Sequence, residues 1–326
     1  MNTRLLSVER LTTLLHLPSG PANAVEDIDL EVDEGETLGI VGESGCGKSM
    51  LALSLIGLQP NPPAEIVSGR AFFEGADLLA MRPEKLRAIR GRRIAMIFQE
   101  PMSALNPVMK IGQQIAEVCR RHFRMGTRDA WKRSIDLLDR VGVPDPSRRA
   151  QEYPFQLSGG LRQRVMIASA LACDPAMLIA DEPTTALDVT IQAQILDLIR
   201  ELQSGTGMAV ILITHDLGVI AETADRVMVM YAGKKIEEAT AVRLFAEPRH
   251  PYTRGLLGSV PVLGHGRNER LPEIGGAVPI LGTALTGCAF EPRCNRKEAI
   301  CVRAAPRLGP DGESHRTACY FPERVS

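Results

Sequence analysis

The chain has 326 residues, a formal net charge of −1, 44% hydrophobic residues and 24% charged residues, ordinary values for a soluble globular protein with room for two or three domains. Near-neutral charge argues against bulk affinity for nucleic acid, and no apolar run nears the ~18–20 residues that a membrane-spanning helix needs. The stretch Met1–Arg10 meets charge too early for a secretory signal, so a cytosolic chain is expected, in which the seven cysteines are not expected to form structural disulfides.

Apolar and polar residues alternate from Ala24 to Val32, the period of a half-buried strand. The apolar run Thr37–Val41 then reads as a fully buried strand. It leads into Gly42-Glu43-Ser44-Gly45-Cys46-Gly47-Lys48-Ser49 and a second apolar run, Met50–Ile56. This is the phosphate-loop pattern in its strand–turn–helix setting. Its glycines let the backbone turn its N–H groups onto an anion, and the helix start adds unpaired donors and a positive dipole end. Lys48 brings a full charge toward the β- and γ-phosphates, and Ser49 a hydroxyl for Mg²⁺. A plain glycine-rich turn with a surface lysine is the competing explanation. A chance match in such a chain is on the order of 1 in 100, so nucleotide binding through Gly42 to Met50 is the expectation.

The stretch Gln59–Pro63 stops the helix after the loop. Strands are expected around residues 68–73 and 93–98, and the basic segment between them, residues 82–93, is expected to be a solvated helical face. From Pro101 to Phe155 the apolar spacing turns helical, as in Ile111–Val118 and Trp131–Leu138. This reads as a helical insert, with Trp131 as a packing residue. In Leu157-Ser158-Gly159-Gly160-Leu161-Arg162-Gln163, a serine and two glycines open a helix. That is a second possible anion site, though a capped helix start accounts for it equally well. Residues 176–182 form a buried strand ending in Asp181 and Glu182, where a Mg²⁺-holding carboxylate would sit beside a phosphate loop. The last clear strand, Ala209–Ile213, leads to His215. A histidine at the carboxyl end of a parallel strand faces the ligand crevice.

Five motifs in one order (Gly42–Ser49, Gln99, Leu157–Gln163, Met177–Glu182 with Ala186-Leu187-Asp188, and His215) resemble the ATP-binding subunit of ABC transporters over roughly residues 5–245. The resemblance implies an α/β fold: a RecA-like P-loop core with an antiparallel β subdomain (1–100 and 166–245), a helical subdomain with the signature motif (101–165), and a carboxy-terminal metal-binding extension (246–326). It implies that Lys48 and Ser49 bind phosphate and Mg²⁺, and that Gln99 contacts Mg²⁺ and the attacking water. It makes Asp181 the Mg²⁺ ligand, Glu182 the general base, Asp188 a contact across the dimer and His215 the γ-phosphate switch. Ser158, Gly159 and Gly160 would close over ATP bound by a second subunit. Where the family usually stacks an aromatic residue on adenine, this chain has Leu15, with His16 beside it. Leu161 stands where these importers often carry Met or Gln.

The tail narrows the resemblance. Glu247–Leu257 and the proline-rich, cysteine-bearing end look like the extension of dipeptide/oligopeptide importer ATPases. Cys288, Cys294, Cys301 and Cys319 lack the short paired spacing typical of zinc. A zinc site with His315, or reduced core cysteines, remain alternatives; the resemblance implies a [4Fe–4S] cluster on the four thiols. It further implies ATP and Mg²⁺ as ligands, two membrane permease subunits, a second ABC ATPase (identical or related), a substrate-binding protein, no nucleic acid, and a peripheral place on the cytoplasmic face of the bacterial inner membrane. The activity expected is ATP hydrolysis driving uptake of di- or oligopeptides. Importers of nickel, opines or oligosaccharides share this form of ATPase, and some ABC ATPases act outside transport.

Overall fold

The computed structural model describes residues 3–100, 104–184, 188–259, 273–283, 286–310 and 314–323. The chain divides into two compact units. One holds Asp33–Glu36 and Met81–Leu212; the other holds Arg4–Val32, Thr37–Ala80 and the chain from Ile213 onward.

In the second unit the long strands Arg4–Leu17 and Gly20–Asp33 lie next to each other in a four-stranded sheet, completed by Ala64–Phe73 and Ala76–Asp77. Arg4–Leu17 pairs antiparallel with Ala64–Phe73, from Leu6 opposite Phe73 to Leu15 opposite Ala64, with a register shift between Glu9 and Thr12. Gly69 sits at that irregularity with φ +110°, and a Cβ there would stand 2.5 Å from the Leu11 Cα, so the bulge requires glycine.

The unit's other strands run in the order Gly309–Pro310, His315–Thr317, Lys234–Thr240, Arg226–Tyr231, Thr37–Val41. Thr37–Val41 is parallel to Arg226–Tyr231, with Ile40 opposite Met228. Every residue of Thr37–Val41 is buried, which explains its continuous apolar sequence. Arg226–Tyr231 and Lys234–Thr240 add strands beyond Ala209–Ile213, the last one expected. The end of the chain returns to this sheet: His315–Thr317 pairs antiparallel with Lys234–Thr240. The seam is polar inside. His315 Nε2 and Glu237 Oε1, both fully buried, meet at 2.7 Å, and Glu238 accepts from Lys235 at 2.8 Å and Arg316 at 2.6 Å.

In the first unit Ile94–Ile97 pairs parallel with Met177–Asp181, and Ala209–Ile213 lies on the other side of Met177–Asp181. The helix Ile111–Phe123 buries Ile111, Ile115 and Cys119, and Thr127–Arg140 buries Ala130, Ser134 and Leu138. Both are stripes at the i, i+4, i+8 spacing of one helical face. The Trp131 ring lies against Gly112, where a Cβ would come within 2.7 Å of it. The basic helix Pro83–Ile89 has no buried residue. Among the described residues no helix is long and apolar enough to cross a membrane.

Candidate functional site

The phosphate loop joins Thr37–Val41 to the helix Lys48–Leu55. Two of its glycines are sterically required. Gly42 has φ +152°, and a Cβ there would stand 2.3 Å from the Met230 carbonyl oxygen; Gly47 has φ +101°, and its Cβ would stand 2.3 Å from the Ala24 carbonyl oxygen. Neighbouring strands therefore press the loop into a tight cradle that no side chain could share. Lys48 is buried. Its ammonium donates to the carbonyls of Gly42 at 2.7 Å and Glu43 at 3.0 Å, and lies 3.6 Å from the Cys46 Sγ. Burial raises the Cys46 thiol pKa against the opposing pull of Lys48, so the sulfur stays neutral. Ser44 and Gly45 are exposed at the loop's crest; Ser49 and Met50 begin the helix half-buried. In the same unit, His215 is exposed after the last residue of Ala209–Ile213, and Asp216 caps the following helix through Gly218 N–H at 2.9 Å.

The other expected site residues belong to the first unit. Asp181 is buried at the end of Met177–Asp181. Glu182 follows in the left-handed region, φ +48°, a conformation rare for residues other than glycine and concentrated at functional positions. Its Oε2 accepts from Gln99 Nε2 at 3.0 Å, joining two residues 83 positions apart in the sequence. Ser158 caps the helix Gly159–Ala170, its Oγ accepting from Leu161 N–H at 3.5 Å. A Cβ on Gly159 would meet nothing within 4 Å, leaving that helix start bare. Asp188 caps Val189–Thr206 through Ile191 N–H at 2.9 Å. Ala186 and Leu187 of the expected motif lie outside the described residues.

Leu15 is half-buried in its strand, and the His16 Nε2 beside it meets Glu65 Oε2 at 2.9 Å. Sequence reasoning gave Gln163 no separate role. Its buried Nε2 donates to the Pro183 carbonyl, tying the signature helix to the segment that carries Glu182. Tyr252 and Arg293, which reach the phosphate loop, were also missed. An open groove in the first unit is lined by Arg120, Arg121, Arg124, Arg128, Met125 and Trp131, so Trp131 borders a surface as well as packing on Gly112.

The expected metal-binding extension requires a correction. Among the described residues no group of three or more His, Cys, Asp or Glu side chains is placed to hold a metal ion. Cys288, Cys294, Cys301 and Cys319 do line one small cavity with Phe290 and His250, but no group of them is placed to hold a metal ion. Burial pushes the Cys288 thiol up and the Cys319 thiol up to about 11, and the neighbouring thiols add to both shifts. Cys301 is buried and the other three are half-buried in this largely apolar pocket.

Two family descriptions match the chain: ABC transporter over residues 25–185, and oligopeptide/dipeptide transporter, C-terminal region, over residues 236–301. The probable peptide ABC transporter ATP-binding protein y4tR of Sinorhizobium fredii is 50% identical over 98% of this chain and 96% of its own. The dipeptide transport ATP-binding protein DppD of Bacillus subtilis is 47% identical over the same shares. Among solved structures, the ATP-binding cassette MJ0796, a dimer in a post-hydrolysis state bound to ADP and Pi, superimposes with a TM-score of 0.66 at 27% identity, covering 72% of this chain and 98% of that one. cbiO1 from Clostridium perfringens, part of the ABC transporter complex cbiONQ, gives 0.63 at 29% identity, covering 75% and 92%.

Proposed function

This chain belongs to the ABC transporter ATPase family and carries an oligopeptide/dipeptide transporter C-terminal region, and from that premise we propose that it is the ATP-hydrolysing subunit of an importer for di- and oligopeptides. The full-length similarity to peptide and dipeptide transport ATP-binding proteins supports the cargo class. In this reading the loop amides and Lys48 hold the β- and γ-phosphates. Ser49, Asp181 and Gln99 would hold Mg²⁺, which supplies charge neutralisation to the phosphates. Glu182 accepts a proton from the attacking water, and Gln99 orients it. His215 senses the γ-phosphate. Ser158, Gly159 and Gly160 offer a bare helix start to the nucleotide of a second ATPase subunit, and Asp188 speaks across that dimer. Residues 101–165 act as the helical subdomain, and its arginine-lined groove favours an acidic, partly apolar contact from a membrane permease. The chain works peripherally, held to a membrane by two permease subunits that receive cargo from a substrate-binding protein.

The observation that carries the proposal is the Gln99–Glu182 hydrogen bond at 3.0 Å, which presents a carboxylate with a restrained backbone beside the strand-end Asp181. Glu182→Gln is expected to bind ATP with near-normal affinity, accumulate as an ATP-bound dimer and lose turnover by about a hundredfold or more. Sizing the protein with Mg-ATP and measuring phosphate release checks this; turnover equal to the parent chain would remove Glu182 from the role of base.

A further inference from the structure

The carboxy-terminal extension grips the first residue inside the phosphate loop. Glu43 is held at every polar group it has. Its backbone N–H donates to the Tyr252 hydroxyl at 2.8 Å. Its carboxylate receives both terminal nitrogens of Arg293, at 2.6 and 2.9 Å. Its carbonyl accepts from the Lys48 ammonium at 3.0 Å. The loop residue and the arginine are 250 positions apart.

Arg293 is built for this contact. Its side chain is only 4% exposed. Nε donates to the Gly275 carbonyl at 2.9 Å, and one terminal nitrogen donates also to the Ile274 carbonyl at 3.1 Å. The guanidinium lies 5.8 Å from the Tyr231 ring centre and 5.9 Å from that of Phe290. Those rings pack edge to face with each other and with Tyr252. A desolvated, bidentate, charge-assisted pair fixes position far better than a surface ion pair does. The flanking residues of this clamp, Phe290 and Cys294, also line the cysteine cavity.

The consequence for the loop follows from its composition. A glycine-rich turn loses much conformational entropy when it orders around an anion. Fixing Glu43 settles the direction of the chain just after Gly42, before any ligand arrives. Because Lys48 rests on the Glu43 carbonyl, displacing Glu43 also displaces the ammonium that faces the phosphates. We infer that Arg293 and Tyr252 are positioning residues for the phosphate loop, through which the carboxy-terminal extension sets the affinity for ATP. The inference rests on the ATP reading of the loop given above. It is reciprocal: nucleotide on the loop stabilises the extension, and whatever loosens the extension weakens nucleotide binding.

The test uses the full chain, Mg-ATP titrated by calorimetry, and steady-state hydrolysis. Arg293→Ala is expected to raise the Kd and KM for ATP about tenfold while kcat at saturating ATP stays within about twofold. Arg293→Lys, which keeps the charge and loses the fork, falls between. Glu43→Gln reproduces the Arg293→Ala effect, and the double variant is no worse than either single one. Tyr252→Phe removes one oxygen and no packing, so it folds even where the arginine variant does not, and it raises KM about threefold. Arg296→Ala, whose partner is Glu323 at 3.4 Å, serves as the control and leaves KM unchanged. Unaltered ATP affinity in both Tyr252→Phe and Glu43→Gln would overturn the inference. So would equal losses in Arg293→Ala and Arg296→Ala, or fully additive losses in the double variant. If the parent chain binds no Mg-ATP, the nucleotide reading beneath it falls, and the inference with it.

Discussion

The phosphate loop and the carboxy-terminal extension meet at Glu43 and are built in opposite ways. The loop is a backbone device: glycines at positive φ, amides at a helix start, and one lysine folded onto two carbonyls. The extension is a side-chain device. A buried arginine, the Tyr252 and Phe290 rings interlocked with Tyr231 of the neighbouring strand, a neutral histidine and four thiols form it, and among the described residues its regular structure is short: the helices Pro251–Gly258, Glu291–Arg293 and Ala299–Arg303 and the strands Gly309–Pro310 and His315–Thr317. Backbone chemistry needs fixed spacing within a few residues. Side-chain chemistry needs only that distant positions be brought together. The two halves therefore respond to different insults.

The largest effect expected is on the backbone side. Gly47→Val places a side chain against the Ala24 carbonyl oxygen, 2.3 Å from the Cβ position, at a φ of +101°. It should abolish ATP binding, because the neighbour is main chain and cannot rotate away. Nucleotide titration of the purified variant checks this; retained affinity would mean that the loop is less constrained than its geometry states.

The extension should instead be sensitive to acid. His250 is buried, and its Nδ1 accepts from Tyr252 N–H at 3.0 Å, capping the helix that carries the clamp tyrosine. Burial pushes its imidazole down to about 4 from 6.5, with nearby Glu237 opposing the shift. The unfolded chain takes up this proton near pH 6.5 and the folded chain refuses it until about pH 4. The stability owed to neutral His250 is thus complete above pH 6.5 and drains away as pH falls toward 4, by about 3 kcal/mol in all. Denaturant melts at pH 7 and pH 5 should show a loss that His250→Asn largely removes. An equal loss in parent and variant would place the acid sensitivity elsewhere.

The smallest effect lies on the loop's own side, away from the extension. Thr13 Oγ1 and Ser54 Oγ meet at 2.8 Å, both fully buried, joining the amino-terminal strand to the phosphate-loop helix. Ser54→Ala strands the threonine hydroxyl and should cost about 1–2 kcal/mol, whereas Thr13→Val with Ser54→Ala should be nearly neutral. Both are read from denaturant midpoints. A double variant worse than the single one would show that packing, and not the hydroxyl pair, holds that seam.

The contrast also explains what could be read from the sequence. Gly42 to Ser49, Ser158 to Gly160, and Asp181 with Glu182 announced themselves because their chemistry depends on local spacing. The strand Lys234–Thr240 escaped notice because it is short, charged and does not alternate, whereas the apolar run within Arg226–Tyr231 carries the same signal as Thr37–Val41. Gln163 was visible as part of a motif but not as a donor to Pro183, since nothing local links them. Arg293 was invisible. A lone arginine among prolines and cysteines carries no pattern, and its partner lies at the other end of the chain. The cysteines were legible as a set that gathers. That no group among the described residues is placed for a metal ion, although all four line one cavity, was not.

Uptake of a labelled dipeptide by cells whose only copy of this chain is Glu182→Gln decides whether nucleotide cleavage powers import. The variant protein is expected to be made, to bind ATP and to stop uptake, as the assignment of Glu182 as general base requires. Dipeptide accumulation at the parental rate, with the variant as the sole copy, would contradict it.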